Sequence, residues 1–210
     1  MDFHGFTQED FDVFLIEGLE ERMDALKCTI RPKLESLGEY YAPLLEAATG
    51  DEMFVHVAKH ARRTVNPPKD TWVAFANNPR GYKMLPHFQI GLWNTHLFIW
   101  FAVIYEAPQK QEIGKRLAKK AASICKEMPK DFVWSVDHTK PETIPHGQLK
   151  KNELLALMDR LQTIKKAELL CGYTIDREQV IQMGREGLIQ QINEVFSKVA
   201  PLYKVAANIK

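Results

Sequence analysis

The sequence predicts an α+β fold: a mainly antiparallel sheet covered by helices, in a single domain spanning 1–210. Three observations carry that reading. Apolar residues near the N-terminus recur at spacings of three and four. Between residues 53 and 105 the chain turns to aromatic and β-branched runs joined by hairpin-length links. The remaining segments alternate helix, strand, helix, strand and helix, with no linker long enough to divide the chain.

In the first segment Leu19, Met23, Leu26, Ile30, Leu34, Leu37, Tyr41 and Leu44 mark one buried face of a long helix. Glu20, Glu21, Asp24, Lys27 and Glu35 fall on the solvated side, Pro32 and Pro43 bend or divide the helix, and Gly50 with Asp51 closes it. The central segment is punctuated by Pro67, Pro68, Asn77, Asn78, Pro79 and Gly81 and predicts strands near 71–76, 83–93 and 96–105. A two-residue turn at Asn94 and Thr95 sets Leu92 opposite Leu97, Ile90 opposite Ile99 and Phe88 opposite Phe101 on one apolar face. His87 and Gln89 then share the other face with Phe98, Trp100 and Ala102. A slip of one residue in that turn would reverse both faces. Further on, Ile113, Leu117, Ala121, Ile124 and Met128 define a helix over 111–128 that Pro129 stops. Phe132, Trp134 and Val136 alternate as a strand, as do Leu169, Cys171, Tyr173 and Ile175, and helices are predicted over 151–162 and 186–204.

Composition bounds the function. With 45% apolar and 26% charged residues the chain is an ordinary globular protein that buries a sizeable core. Cys28, Cys125 and Cys171 are odd in number and far apart, which excludes a disulfide framework and a zinc ribbon and predicts reduced thiols in a cytoplasmic setting. The first residues have no basic start followed by an apolar run. The longest apolar run, 97–105, is about half the length that a helix needs to cross a bilayer. No membrane association is expected, and nothing in the sequence specifies an oligomeric state.

The segment 53–105 stands apart in charge. Lys59, Arg62, Arg63, Lys69, Arg80 and Lys83 face one acid, Asp70, a local balance of +5 in a chain of net charge +1, so the remainder sums to −4. A concentrated positive field of this kind attracts phosphate, carboxylate or nucleic acid. Arginine forks suit phosphate oxygens, and Asn77, Asn78 and Gly81 offer backbone donors. The competing reading is that the cations pair with acids elsewhere or solvate a sheet edge.

Within this segment, HVAKHARRTVNPPKDTWVAF (56–75) and RGYKMLPHFQIGLW (80–93) resemble the YktB-like family of uncharacterised bacterial proteins, mainly of Gram-positive species. The likeness runs from GFTQEDFDVF (5–14) to the final helix. The resemblance implies a cytoplasmic α+β protein of bacterial origin, with a sheet distantly similar to the catalytic domain of biotin ligases and class II synthetases. It carries no assigned reaction, so it transfers no functional residue.

Other chemistry is thinly represented. His56 and His60, four apart, would share a helix face, with His87 as a third nitrogen. The residues between them lack the glutamate of an HExxH site and put Lys59 beside the supposed metal. No structural metal and no cofactor is expected. No serine lies in a GxSxG context, and no P-loop or GxGxxG is present. Asp137 and His138 are neighbours whose side chains diverge in an extended chain, so they are not read as a catalytic pair. Three readings stay open. The first is a binding protein for a phosphate-bearing small molecule or nucleic acid, using Arg62, Arg63, Lys69, Arg80 and Lys83 with His87, Gln89 and Trp100. The second is an enzyme on an anionic substrate with His56, His60 or His87 as acid or base. The third is a structural or protein-interaction module.

Overall fold

A computed structural model describes residues 2–208. Seven strands form one antiparallel sheet: β1 (Phe54–Val57), β2 (Asp70–Ala76), β3 (His87–Trp93), β4 (His96–Val103), β5 (Val133–Ser135), β6 (Ile144–Pro145) and β7 (Leu169–Asp176). Their spatial order is β1-β2-β3-β4-β7-β5-β6. The helices are α1 (Gln8–Asp12), α2 (Leu19–Ala25), α3 (Arg31–Thr49), α4 (Lys110–Lys119), α5 (Ala121–Glu127), α6 (Lys151–Thr163) and α7 (Arg177–Ala207). No helix among the described residues is long and apolar enough to cross a membrane.

The Asn94–Thr95 turn sets the predicted register. Phe88 opposes Phe101, Ile90 opposes Ile99 and Leu92 opposes Leu97, while His87 lies across from Ala102 and Gln89 across from Trp100. The face carrying Phe75, Phe88, Ile90, Ile99 and Phe101 packs against α3 and α7. There Phe88 stacks on Tyr203 with ring centroids 4.9 Å apart and meets Phe196 edge-on. These side chains are fully buried, and burying one aromatic of this size stabilises the fold by roughly 1.5–3 kcal/mol.

Several boundaries differ from the sequence reading, each for a local reason. The long N-terminal helix is divided at a π-helical turn, Leu26–Ile30, just before Pro32, whereas Pro43 sits inside α3. Leu45, not Leu44, is the buried residue there: the row Leu34, Leu37, Tyr41, Leu45 follows the last turns more closely, and Leu44 is exposed. Gly50 ends α3 in the left-handed region at φ 85°. The third strand begins at His87 rather than 83, because Tyr82–Met84 form a 3-10 turn and Pro86 has no N–H for the ladder. The helix expected over 111–128 breaks at Lys120 into α4 and α5. The last helix starts at Arg177 and kinks at Gly184, whose φ of 61° and ψ of −163° lie outside the helical region.

Candidate functional site

The second face of the sheet carries a separate, smaller cluster, met at one edge by the 3-10 turn Tyr82–Met84, where the Tyr82 hydroxyl accepts from the Trp72 indole N–H at 2.8 Å. Trp72, Gln89, Trp93, Phe98 and Trp100 project from β2, β3 and β4, and Leu170 from β7 joins them. Two glycines keep this surface flat. A side chain at Gly91 would collide with the Phe98 ring, and one at Gly172 with the Ile99 carbonyl and the Trp100 ring. The phenyl and indole groups therefore lie low across their neighbours. The loop after β5 passes above them, leaving a narrow slot with water-sized space of only about 20 Å³, lined by Asp70, the four aromatic residues, Gln89, Ser135 and His138. At its Asp70 end the slot meets an open cleft of about 720 Å³. Trp72, Trp93, Asp70 and His138 line both, and Arg22, Arg63, Asn66, Pro67, Lys69, Lys83 and Thr139 form the rest of the wall.

A hydrogen-bond chain fixes the inner end. The Nδ1–H of His87 donates to the Leu85 carbonyl at 2.8 Å, which leaves Nε2 to accept from the Gln89 amide nitrogen, also at 2.8 Å. His87 is 0% exposed, and its burial pushes the pKa down to about 4, so the ring is neutral. With its NH2 group held below, Gln89 turns its carbonyl oxygen the other way. His87 positions Gln89 and does not face the cleft.

The mouth holds the titratable groups. Asp70 is 9% exposed, and no other residue donates to its carboxylate among the described residues. Burial raises its pKa to about 6 against the opposing pull of Arg63 first, then of His138, of its own backbone N–H and of Lys83. A carboxylate buried with no donor but its own backbone N–H is costly, which makes this position informative. On the same lining, His138 is gripped by Glu168, itself 3% exposed. The Glu168 carboxylate accepts the backbone N–H of His138 at 2.8 Å, the imidazole Nδ1–H at 2.8–2.9 Å, and the backbone N–H of Tyr105 at 3.3 Å. That contact assigns the proton to Nδ1 and leaves Nε2 as an acceptor without a protein partner among the described residues.

Asp137, His138 and Glu168 bring ligating atoms within 4.8 Å of one another. Their donors are already committed, however. Asp137 accepts from the Thr139 backbone and hydroxyl at 3.0 and 2.6 Å and faces the Lys140 ammonium at 3.4 Å, while Nδ1 of His138 belongs to Glu168. The three form a hydrogen-bonded unit rather than an open ligand set.

The sequence-predicted residues divide between the cleft and elsewhere. Arg63, Lys69 and Lys83 line the open cleft, and Gln89 and Trp100 line the slot, with His87 directly beneath Gln89. Lys83 also lies 6.0 Å over the Trp72 ring and 3.6 Å from Glu106. Arg62 and Arg80 are exposed and are not among the lining residues. The helical pairing of His56 and His60 does not occur: His56 is in β1, bonded to the Asn78 carbonyl, and His60 sits in a loop at φ 50°, bonded to Thr71. Burial lowers the pKa of both. Sequence reasoning passed over three residues. Asp70 was visible as the lone acid in a basic run. His138 was weighed only against adjacent Asp137, and Glu168 carried no signal, since 30 residues separate it from the histidine that it holds.

Residues 6–203 match the family described as a domain of unknown function, DUF1054. The chain is 56% identical over 204 residues to a UPF0637 protein of Bacillus velezensis, and 54% identical over 204 residues to one of Bacillus licheniformis, covering 97% of each chain in both cases. A UPF0637 protein of Bacillus cytotoxicus is 51% identical over 200 residues, 95% of this chain and 96% of that one. The uncharacterised family to which the central segment pointed is thus reached across the whole fold, and the chain belongs to the DUF1054 family of UPF0637 proteins.

Proposed function

We propose that the cleft binds a phosphate-bearing ligand with a flat ring, of nucleotide size. Arg63, Lys69 and Lys83 would take the phosphate, and Trp72 and Trp93 the ring. The observation that carries this reading is the meeting of cations and indoles in one cleft of about 720 Å³, within the usual range of roughly 300–1,000 Å³ for small-molecule sites. Aromatic faces stack on any base, and cations beside them fix its phosphate. Duplex nucleic acid fits less well, since Arg62 and Arg80 lie off the cleft and only three of the six cations in the segment line it. The free thiols of Cys28, Cys125 and Cys171 accord with a reducing, cytoplasmic setting.

The test is calorimetric titration with adenosine monophosphate, adenosine and inorganic phosphate, followed by tryptophan quenching. The combined substitutions Arg63→Ala and Lys69→Ala are expected to weaken the monophosphate at least about tenfold while leaving adenosine little changed, because charge-assisted hydrogen bonds are worth about 1.5–3 kcal/mol each. The log of affinity should fall with log salt at a shallow slope of about −1 to −2, whereas five phosphate contacts to duplex nucleic acid would give about −4 to −5. Equal affinity of wild type and variant for the monophosphate would overturn the reading.

A further inference from the structure

The cleft contains more than a binding site needs. A binding site for a phosphate has no use for a nine-tenths-buried carboxylate whose only donor is its own backbone N–H, nor for an imidazole whose tautomer is set by a buried glutamate. Asp70 and His138 line both the slot and the open cleft, and each lies within the other's electrostatic reach. Together they put a proton donor and a proton acceptor on the lining of one cation-lined space, the ingredients of general acid–base catalysis.

The nucleophile is not a protein group. Only two residues lining the slot and cleft carry hydroxyls, Ser135 and Thr139, and both give their protons to Asp137: Ser135 to its carbonyl at 3.2 Å, Thr139 to its carboxylate at 2.6 Å. Ser135 meets only a carbonyl, the carboxylate that holds Thr139 is a weakened base, its pKa lowered first by that hydrogen bond and further by the Thr139 backbone N–H and Lys140, and no cysteine lines either space. A substrate that brings its own neighbouring hydroxyl removes the need for one, since an internal nucleophile reaches effective molarities of roughly 10⁵–10⁸ M. Ribose next to a phosphodiester is such a group.

Resting on the reading that the cleft takes a phosphate-bearing nucleotide, we infer that this site cleaves short single-stranded ribonucleotide phosphodiesters, with His138 as base and Asp70 as acid. Nε2 of His138 accepts the proton of the ribose 2′-hydroxyl, and the freed oxygen forms a bond to phosphorus. The bond from phosphorus to the 5′-oxygen breaks, and that oxygen takes the proton of the Asp70 carboxylic acid. The products are a 2′,3′-cyclic phosphate and a 5′-alcohol, with the imidazolium and carboxylate returning to their starting states by proton exchange with water. Arg63, Lys69 and Lys83 stabilise charge on the non-bridging oxygens, while Trp72 and Trp93 stack the bases. Glu168 is a positioning residue: it holds the Nδ1–H tautomer and supports the imidazolium as it forms. The raised pKa of Asp70, about 6, keeps an appreciable fraction of the acid protonated at neutral pH.

The experiment compares uridylyl-uridine, its 2′-deoxy counterpart and uridine 3′-(p-nitrophenyl phosphate) on the full chain, with binding measured alongside cleavage. Wild type should convert uridylyl-uridine to uridine 2′,3′-cyclic phosphate and bind, but not cut, the deoxy compound. His138→Gln should lose at least about 100-fold in rate on both cleavable substrates. Asp70→Asn should lose as much on uridylyl-uridine but less than about tenfold on the p-nitrophenyl ester, whose leaving group departs without a proton. Glu168→Gln should lower kcat with KM little changed. Retained circular dichroism and retained deoxy-dinucleotide binding would show that the variants are folded. A dinucleotide that binds and is never cut overturns the catalytic inference and leaves the binding proposal standing. Failure of every nucleotide to bind overturns both, and cleavage that survives His138→Gln overturns the assignment of the base.

Discussion

The two faces of this sheet are built from the same strands in strict alternation, yet they follow opposite rules. On the helix-covered face the inward residues of β3 and β4 are all apolar and buried, those of β2 and β7 are so apart from the hydroxyl of Thr71 and the half-buried Tyr173, and α3 and α7 complete the packing. On the other face the alternate residues include His87, Gln89, His96 and Asp70, set among Trp72, Trp93, Phe98 and Trp100, with loops above. The first face is what a stable fold requires. The second buries polar groups that stability alone would have replaced with apolar ones, and it leaves one of them, Asp70, without a donor from any other described residue. Departures of this kind concentrate at functional sites, where local cost is tolerated for chemistry.

The contrast can be broken on either side. On the packed face, Phe88→Ala should cost about 3–5 kcal/mol in denaturant unfolding, because Phe88 is fully buried between Phe101, Phe196 and Tyr203. A loss under about 1 kcal/mol would mean that this face is not the principal core. On the second face, His87→Phe should cost about 1–3 kcal/mol by leaving the Gln89 amide without its acceptor. A variant as stable as wild type would show that the chain from Leu85 through His87 to Gln89 holds nothing in place. At the rim, the double substitution Arg62→Ala with Arg63→Ala should change stability by no more than about 0.5 kcal/mol, both residues being exposed. Unfolding at ambient temperature would instead make those arginines structural partners.

How much of this was legible in the sequence follows from the range of each signal. The hairpin register was readable because a two-residue turn fixes side-chain parity, so the polar pair His87 and Gln89 and the floor residue Trp100 could be placed before any coordinates. The buried row of α3 was readable up to its last turn, where a fixed spacing chose Leu44 over Leu45. The π-helical turn at Leu26–Ile30 and the kink at Gly184 were not readable, since both depend on how the helices settle against the sheet. Asp70 was in view but was counted as a subtraction from the local charge, and its burial depends on the strand pairing that sets it beside Trp93. The His138 and Glu168 pair lay out of reach, because it arises only when the loop after β5 folds back on the start of β7. No periodicity links those positions.

If the second face is held ready for a ligand at a cost to stability, that cost should be readable at Asp70. A carboxyl with a folded pKa near 6, above the ordinary 3.8, binds its proton more tightly in the folded than in the unfolded chain. As pH rises the unfolded chain deprotonates first, so the fold is penalised progressively between about pH 4 and 6, and the full penalty persists above that. The shift of about two units sets an upper bound near 3 kcal/mol. The measurement is the unfolding free energy of wild type and Asp70→Asn from pH 3.5 to 8. The account predicts that the variant is the more stable protein above pH 6, by about 1–3 kcal/mol, and that the difference fades below about pH 4. A variant less stable than wild type at pH 7 to 8 would contradict it, because the Asp70 carboxylate would then be a structural partner in the fold and not a group kept ready for a ligand.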